Sequence, residues 1–413
     1  MKRIKKYLIP ALLIICSMLI ASCGNQVETN QAETTTQSDT AQSAAETTPS
    51  TQQQDSNAPT TTETQPSAQQ QQSGSTTPEA LSDSQTPSTP QTRIFTDVQG
   101  VDIELPVDVQ KVIHLWPAST AFHVFLGTGD KIDGVLGGVQ GPAWGWLNSA
   151  CPHLLEAEAF AGDASAEELL KLAPDVVITS NKELAVNLRA QGVPIVCMLA
   201  GEDMDSFKVM LLKMGELLGP RETAKAQEYV AYLDGIIQEV NAAIKDIPEE
   251  QRVRLYYNSA QMGDSALLTC GYGSIVQSWI DATGCINVVE DVIQGMDKEV
   301  NIEVILAADP DYILVGGINQ EKTYNDILTD PAWQSLTAVK EGRMIRNPQG
   351  VMKWEKTGVE IALQLQWFTA LMYPDYYSVD IEAAVREFYS NYYGYQLTEQ
   401  NYQDLMAGMS APQ

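Results

Sequence analysis

The chain holds three histidines, six cysteines and seven tryptophans, the residue types from which a reactive or binding site would be built. A zinc site needs three or four converging ligands. His114, His123 and His153 are scattered, and no cysteine pair has CxxC spacing. His114 ends an apolar, strand-like run and reads as a satisfied buried histidine. His123 falls in a helix expected over 119–126 and reads as surface or packing. HExxH, GxSxG and GxxxxGK[ST] are absent, and Gly271-Tyr272-Gly273-Ser274 is only a fragment of a dinucleotide fingerprint. Acids are too numerous for inspection to single out a hydrolytic pair. The expectation is a binding protein with no catalytic residues, no metal of its own and no resident cofactor.

What the loops do offer is aromatic surface and cations. Trp116 follows a strand and precedes Pro117. Trp144 and Trp146 stand at i, i+2, so that only one of them faces a ligand. With Tyr257, Tyr272 and Trp354 they would form flat apolar walls. The opposing reading is that these rings anchor loops or fill the core, as expected for Trp279, Trp333 and Trp367. Asn181, Lys182, Arg346 and Lys353 could meet a carboxylate, catecholate or propionate. The alternative for each cation is a solvated loop residue.

The elements that must position these loops come from an internal repeat. Residues 165–179 and 301–315 share Glu, Leu, Pro and Asp at the same offsets, followed by an apolar run. Each copy reads as a short capped helix, a proline stop and a buried strand. Further strands are expected at 111–115, 132–136, 194–197, 252–257 and 343–345. Between the two groups a helix over 205–218 ends at Gly219-Pro220. A second, over about 221–247, carries an apolar stripe and is about 40 Å long at 1.5 Å per residue. The fold class is therefore α/β, with two Rossmann-like lobes joined by a single long helix. Ligands of open α/β sheets sit beyond the carboxyl ends of the strands, which makes the loops above the cleft candidates.

Residues 1–22 have a basic start, an apolar run too short to span comfortably and small residues before Cys23. Ile20-Ala21-Ser22-Cys23 resembles the lipobox of bacterial lipoproteins, which makes Cys23 the expected lipidation site. Residues 24–93 contain 17 Thr, 14 Gln and 10 Ser and no Phe, Tyr or Trp. Such a stretch cannot offset its ordering entropy, so 23–93 reads as a disordered tether. The remaining boundaries are a first lobe at 94–204, a connecting helical segment at 205–248 and a second lobe at 249–413. The chain carries a formal net charge of −28, which argues against nucleic acid as a partner. Cys151, Cys197, Cys270 and Cys285 are either buried small hydrophobes or disulfides. If they pair, the expected bridges lie within each half, Cys151–Cys197 and Cys270–Cys285.

From Phe95-Thr96-Asp97 to Leu105-Pro106, through Lys111 to Pro117, Gly129 to Val135, both repeats, Gly284 to Val288, Pro331-Ala332-Trp333 and Ala338 to Arg343, the sequence resembles a known family. It is similar to the substrate-binding proteins of ABC importers for iron complexes and cobalamin. The resemblance covers essentially all of 94–408, and Cys285 stands where the family usually has Gly. It implies an extracytoplasmic, lipid-anchored monomer that holds a metal chelate between its lobes and delivers it to a permease and its ATPase. The chelate implied first is a ferric siderophore or haem, with a corrinoid or molybdate as alternatives. A non-transport surface sensor or adhesion module on the same fold is a different class of reading. The family's permease-docking acids fall on Glu167 and Glu303, which otherwise read as favourable acids in a helix's first turn.

Overall fold

The computed structural model describes residues 91–260 and 265–411. The folded part opens with an antiparallel hairpin, β1 (Thr92–Thr96) and β2 (Asp102–Pro106). Phe95, Ile103 and Leu105 point into the core. Asp97 closes the turn, accepting from the amides of Gln99 and Val101 at 2.9 and 3.0 Å and from Arg189 at 2.7 Å. The tether was expected to run to residue 93, but Thr92 and Arg93 already belong to β1.

The first lobe is a five-stranded parallel sheet. Its strands are β3 (Val112–His114), β4 (Ile132–Leu136), β5 (Glu158–Phe160), β6 (Val176–Thr179) and β7 (Ile195–Cys197), in the order β5-β4-β3-β6-β7. The chain winds outward from β3 in one direction, then the other, so the crevice opens between the ends of β3 and β6. Helices α1 (Pro117–Leu126), α2 (Gly145–Ala150), α3 (Ala166–Leu170) and α4 (Lys182–Arg189) serve this lobe. Along β6, Val176 and Ile178 enter one apolar cluster and Val177 another. Both faces are covered, which is why the run reads as continuously hydrophobic.

Two helices lead out of this lobe. In α5 (Met204–Leu218) the Asp203 carboxylate caps the amide of Ser206 at 2.8 Å. Next comes α6 (Pro220–Ile244), whose 25 residues span about 37 Å at the α-helical rise. A side chain at Gly215 would lie 2.8 Å from the carbonyl oxygen of Glu222, so glycine lets the two helices approach.

The second lobe holds a four-stranded parallel sheet. Its strands are β8 (Arg254–Asn258), β10 (Ile286–Asn287), β12 (Tyr312–Val315) and β13 (Met344–Arg346), in the order β10-β8-β12-β13. A short antiparallel pair, β9 (Leu268–Thr269) with β11 (Lys298–Glu299), lies beside it. Helices α7 (Ile275–Ala282), α8 (Ile302–Ala308), α9 (Gln320–Thr329) and α10 (Thr337–Lys340) complete the α/β part. Three more, α11 (Ile361–Met372), α12 (Ile381–Phe388) and α13 (Glu399–Met406), close the chain, with a π-helical turn at Tyr389–Tyr393. The largest apolar cluster includes residues of both lobes, α6 and this C-terminal layer.

The repeat is real in the backbone. Ser165 caps α3 through a reciprocal box with Glu168, and Asn301 caps α8 by accepting from the Glu303 amide at 2.9 Å. The residue before each proline, Ala173 and Asp309, takes a left-handed conformation, with φ of 47° and 40°. Each helix then stops and its strand, β6 or β12, begins.

Candidate functional site

The carboxyl ends of the two sheets face a common cavity of about 290 Å³. The first lobe contributes Trp116 and Ala118 after β3, Ser180 after β6, and Leu199, Gly201 and Glu202 after β7. The second contributes Met296, Asp297, Met352, Lys356 and Thr357. In the first lobe this is the switch point between β3 and β6, where strand order reverses; in the second the lining comes from the segments after β10 and β13. At the lip the lobes touch, the amide of Met296 donating to Glu202 Oε2 at 3.2 Å.

The floor is ionic. Lys356 has a side chain only 2% exposed and donates from Nζ to Ser259 Oγ at 2.8 Å and to Asp297 Oδ1 at 3.0 Å. Ser259 Oγ also donates to Asp297 Oδ1, and the Cys270 thiol lies 3.9 Å from the same oxygen. Glu355 is fully buried behind this group. It accepts from the amide of Gly317 at 2.7 Å and from Asn347 Nδ2 at 2.8 Å. Gly317, at φ 83°, must be glycine, since a Cβ there would lie 2.3 Å from the carbonyl oxygen of Ser259. Burial works to lower the Lys356 pKa, but Cys270, Asp297 and Glu355 outweigh it and the net shift is upward. Burial also raises the Cys270 and Glu355 pKa values. Its anionic neighbours hold the lysine charged.

Behind Trp116 lies a buried chain of neutral groups. Ser119 Oγ donates to the Trp116 carbonyl at 2.7 Å, His114 Nδ1 lies 2.8 Å from Ser119 Oγ, and His114 Nε2 lies 2.9 Å from His123 Nδ1. Because the serine proton is spent on Trp116, His114 donates to Ser119 and accepts from His123. Burial pushes both imidazoles down, His123 to about 3 and His114 well below its usual value. His114 is buried and satisfied, as expected. His123 is a packing residue and not a surface one. Among the described residues no group of three or more His, Cys, Asp or Glu side chains is placed to hold a metal ion.

The other expected cleft residues fall in several places. Of the six aromatics only Trp116 lines the cavity. Trp144 is half-buried beneath the Lys353 ammonium, which sits 4.1 Å from its ring centroid. Trp146 is buried and its indole donates to the Met409 carbonyl at 2.8 Å, tying the first lobe to the C-terminal tail. Tyr257 lies buried under the ionic floor, 3.5 Å from Glu355 Oε1. Trp354 is buried against Trp367. Tyr272 is 69% exposed and outside the cavity lining.

Among the polar candidates, Asn181 caps α4 by accepting from the Leu184 amide at 3.0 Å, and Lys182 is exposed beside it. Arg346 lines a shallow surface concavity with Glu321 and Tyr324, away from the cleft. Lys353 is buried and donates to the Ala143 carbonyl across the lobes at 2.7 Å. Glu167 and Glu303 are both exposed in the first turns of α3 and α8, and Glu167 Oε1 lies 3.4 Å from Lys171. Cys23 lies outside the described residues. Cys151, Cys197, Cys270 and Cys285 are all free thiols, so the expected alternative of two disulfides is not formed. Burial raises the pKa of each.

The sequence reading missed Ser259, Lys356, Thr357, Met296, Asp297 and Glu202. Ser259 and Lys356 each fall two residues after one that was singled out, Tyr257 and Trp354. No helix among the described residues is long and apolar enough to cross a membrane.

No curated protein matches the chain in sequence. Solved structures do match in fold. A periplasmic solute-binding protein from Veillonella parvula aligns over 77% of this chain and 97% of its own, with TM-score 0.65 and 22% identity. The molybdate periplasmic binding protein MolA of Haemophilus influenzae, bound to molybdate, aligns over 74% and 99%, with TM-score 0.66 and 22% identity. The apo periplasmic haem-binding protein RhuT from Roseiflexus aligns over 64% and 98%, with TM-score 0.52 and 20% identity. The profile of the periplasmic binding protein family matches residues 159–350, from β5 through both connecting helices to just past β13. That match spans just under half of the chain, and the solved structures share its two-lobed fold, so the chain is similar to periplasmic binding proteins in both respects.

Proposed function

We propose that this chain is the solute-capturing component of an ABC importer, acting outside the cytoplasm by binding and release, without catalysis. The observation that carries the reading is a cavity lined by both lobes beyond the carboxyl ends of their strands. Its volume, about 290 Å³, lies at the small end of ligand pockets. Only one of the expected aromatic walls, Trp116, faces it. This favours a compact solute over a haem or corrinoid plate, so the iron complex implied by the sequence narrows to a small ferric chelate. Molybdate is the second reading, favoured by the lysine and hydroxyl donors of the floor and by the molybdate-bound Haemophilus relative. Delivery goes to a permease with its ATPase, through Glu167 and Glu303, from a membrane position held by lipid on Cys23.

Thermal unfolding of the purified chain with ferric citrate, a ferric hydroxamate, molybdate, haem and cobalamin tests this. A ligand at about a hundred times its Kd adds roughly 2.7 kcal/mol to stability. A shift with a compact ferric chelate or with molybdate is expected. A shift confined to haem or cobalamin would overturn the compact-solute reading, and no shift with any of the five would overturn capture of a metal-containing solute.

A further inference from the structure

Three donors converge on one carboxylate oxygen at the cleft floor. The Lys356 ammonium, the Ser259 hydroxyl and the Cys270 thiol all address Asp297 Oδ1. Lys356 is almost wholly buried, yet the acid it meets is 39% exposed and sits at the cavity wall. A buried cation is thus pointed at the solvent-filled cleft and covered there by a side chain from the lip.

The backbone around this contact is unusual. Among the described residues only four other than glycine have positive φ. Two of them flank the site: Ala260, next to Ser259, at 22°, and Asp297 itself at 54°. Holding a residue with a side chain in this region costs energy and persists where the surroundings impose it, often at ligand clamps. Gly295, two residues before Asp297, is also left-handed at 80°. The lip segment is therefore shaped to deliver one carboxylate to the floor.

We propose that Asp297 is a tethered stand-in for the ligand. The cleft takes a solute with an exposed anionic oxygen, a carboxylate of a chelate or an oxygen of a metal oxyanion, which replaces Asp297 on Lys356 and Ser259. This inference rests on the solute-capture reading and adds to it the charge class of the ligand and its anchor. Exchange is close to balanced, because the ammonium trades one carboxylate-like partner for another and is never left bare. The displaced Asp297 turns to water, which its exposure allows. Discrimination follows: a cationic or neutral solute cannot relieve Lys356 of its partner and leaves Asp297 in place.

Titration calorimetry with molybdate and with ferric citrate, on the full chain, tests the proposal. Asp297→Asn removes the competitor and should tighten binding of the anionic probe by roughly tenfold, the scale of one exchanged ion pair. Ser259→Ala should weaken it. Lys356→Met with Asp297→Asn removes the cation and its nearest partner together, so that Asp297 is not left without its cation, and should abolish binding. A probe that binds wild type but keeps its Kd in all three variants overturns the anchor and leaves the capture reading standing. Failure of both probes to bind even Asp297→Asn overturns the anionic class, and the capture reading is then judged by haem, cobalamin and hydroxamate binding alone.

Discussion

Lys353 Nζ, carried by the second lobe, lies 2.7 Å from the carbonyl oxygen of Ala143 in the first. The ammonium also rests over the Trp144 ring. Burial pulls its pKa down to about 8, against weaker support from Glu355 and Glu360.

The consequence is a pH dependence. Between about pH 8 and the unfolded value near 10.5, the unfolded chain holds this proton and the folded chain has shed it. Stability from this residue therefore rises with pH in that window. Urea unfolding of wild type and Lys353→Met at pH 7.5 and 9.5 should show the wild type gaining about 2 kcal/mol on the variant. An unchanged difference would mean that Lys353 keeps its proton in the folded state up to pH 9.5, with no downward shift at the interface.

Glu360 titrates in the opposite sense. It is fully buried, its Oε2 has no partner, and Tyr393 and the Met352 amide donate to Oε1 at 3.2 Å each. Burial raises its pKa to about 7. The folded state then binds a proton that the unfolded state releases near pH 4.5, so this stabilisation is complete below pH 4.5 and lost as pH rises through 7. From pH 4.5 to 8, Glu360→Gln should gain roughly 3 kcal/mol on wild type in denaturant melts.

The histidine pair governs the acid side. Both rings stay neutral when folded but take up protons near pH 6.5 when unfolded. Stability present above pH 6.5 is lost as pH falls towards the folded value of about 3 for His123. His123→Phe keeps an aromatic ring in the core and should flatten this loss, gaining roughly 3 kcal/mol on wild type between pH 7 and 4. Parallel acid curves for the two proteins would show that His123 is protonated in the fold.

Glu167→Arg with Glu303→Arg should abolish uptake while leaving solute Kd unchanged. Both sites are exposed, and the Glu167–Lys171 pair contributes at most about 0.5 kcal/mol, so the melting temperature should barely move. Normal uptake in the double variant would remove the docking role.

Cys23→Ala should release the chain from the membrane fraction or leave an uncleaved precursor. Mass spectrometry of the N-terminal peptide checks this, and an acyl mass persisting in the variant would place the lipid elsewhere.

The lobes and their link were readable because they rest on repetition and continuous apolar runs. The match between 165–179 and 301–315 survives even to the left-handed residues at 173 and 309. Short elements escaped notice: β5, with two exposed residues in three, has no apolar run to announce it. For the cleft, Trp116 was found, but the segments carrying Glu202 and Asp297 were not, and most of the other residues named do not line it. Trp146 and Trp354 have the composition of a ligand wall, but indoles also fill cores, and only tertiary packing decides. Lys356 was missed for the converse reason. A lysine in a loop reads as solvated, and nothing local shows that Ser259 and Asp297, 97 and 59 residues away, will surround it.

The helix α6 has a mechanical consequence. A single rod of about 37 Å resists stretching and shear and yields only to bending, and the Lys353–Ala143 and Trp146–Met409 contacts act as stays beside it. The two lobes therefore share one soft coordinate.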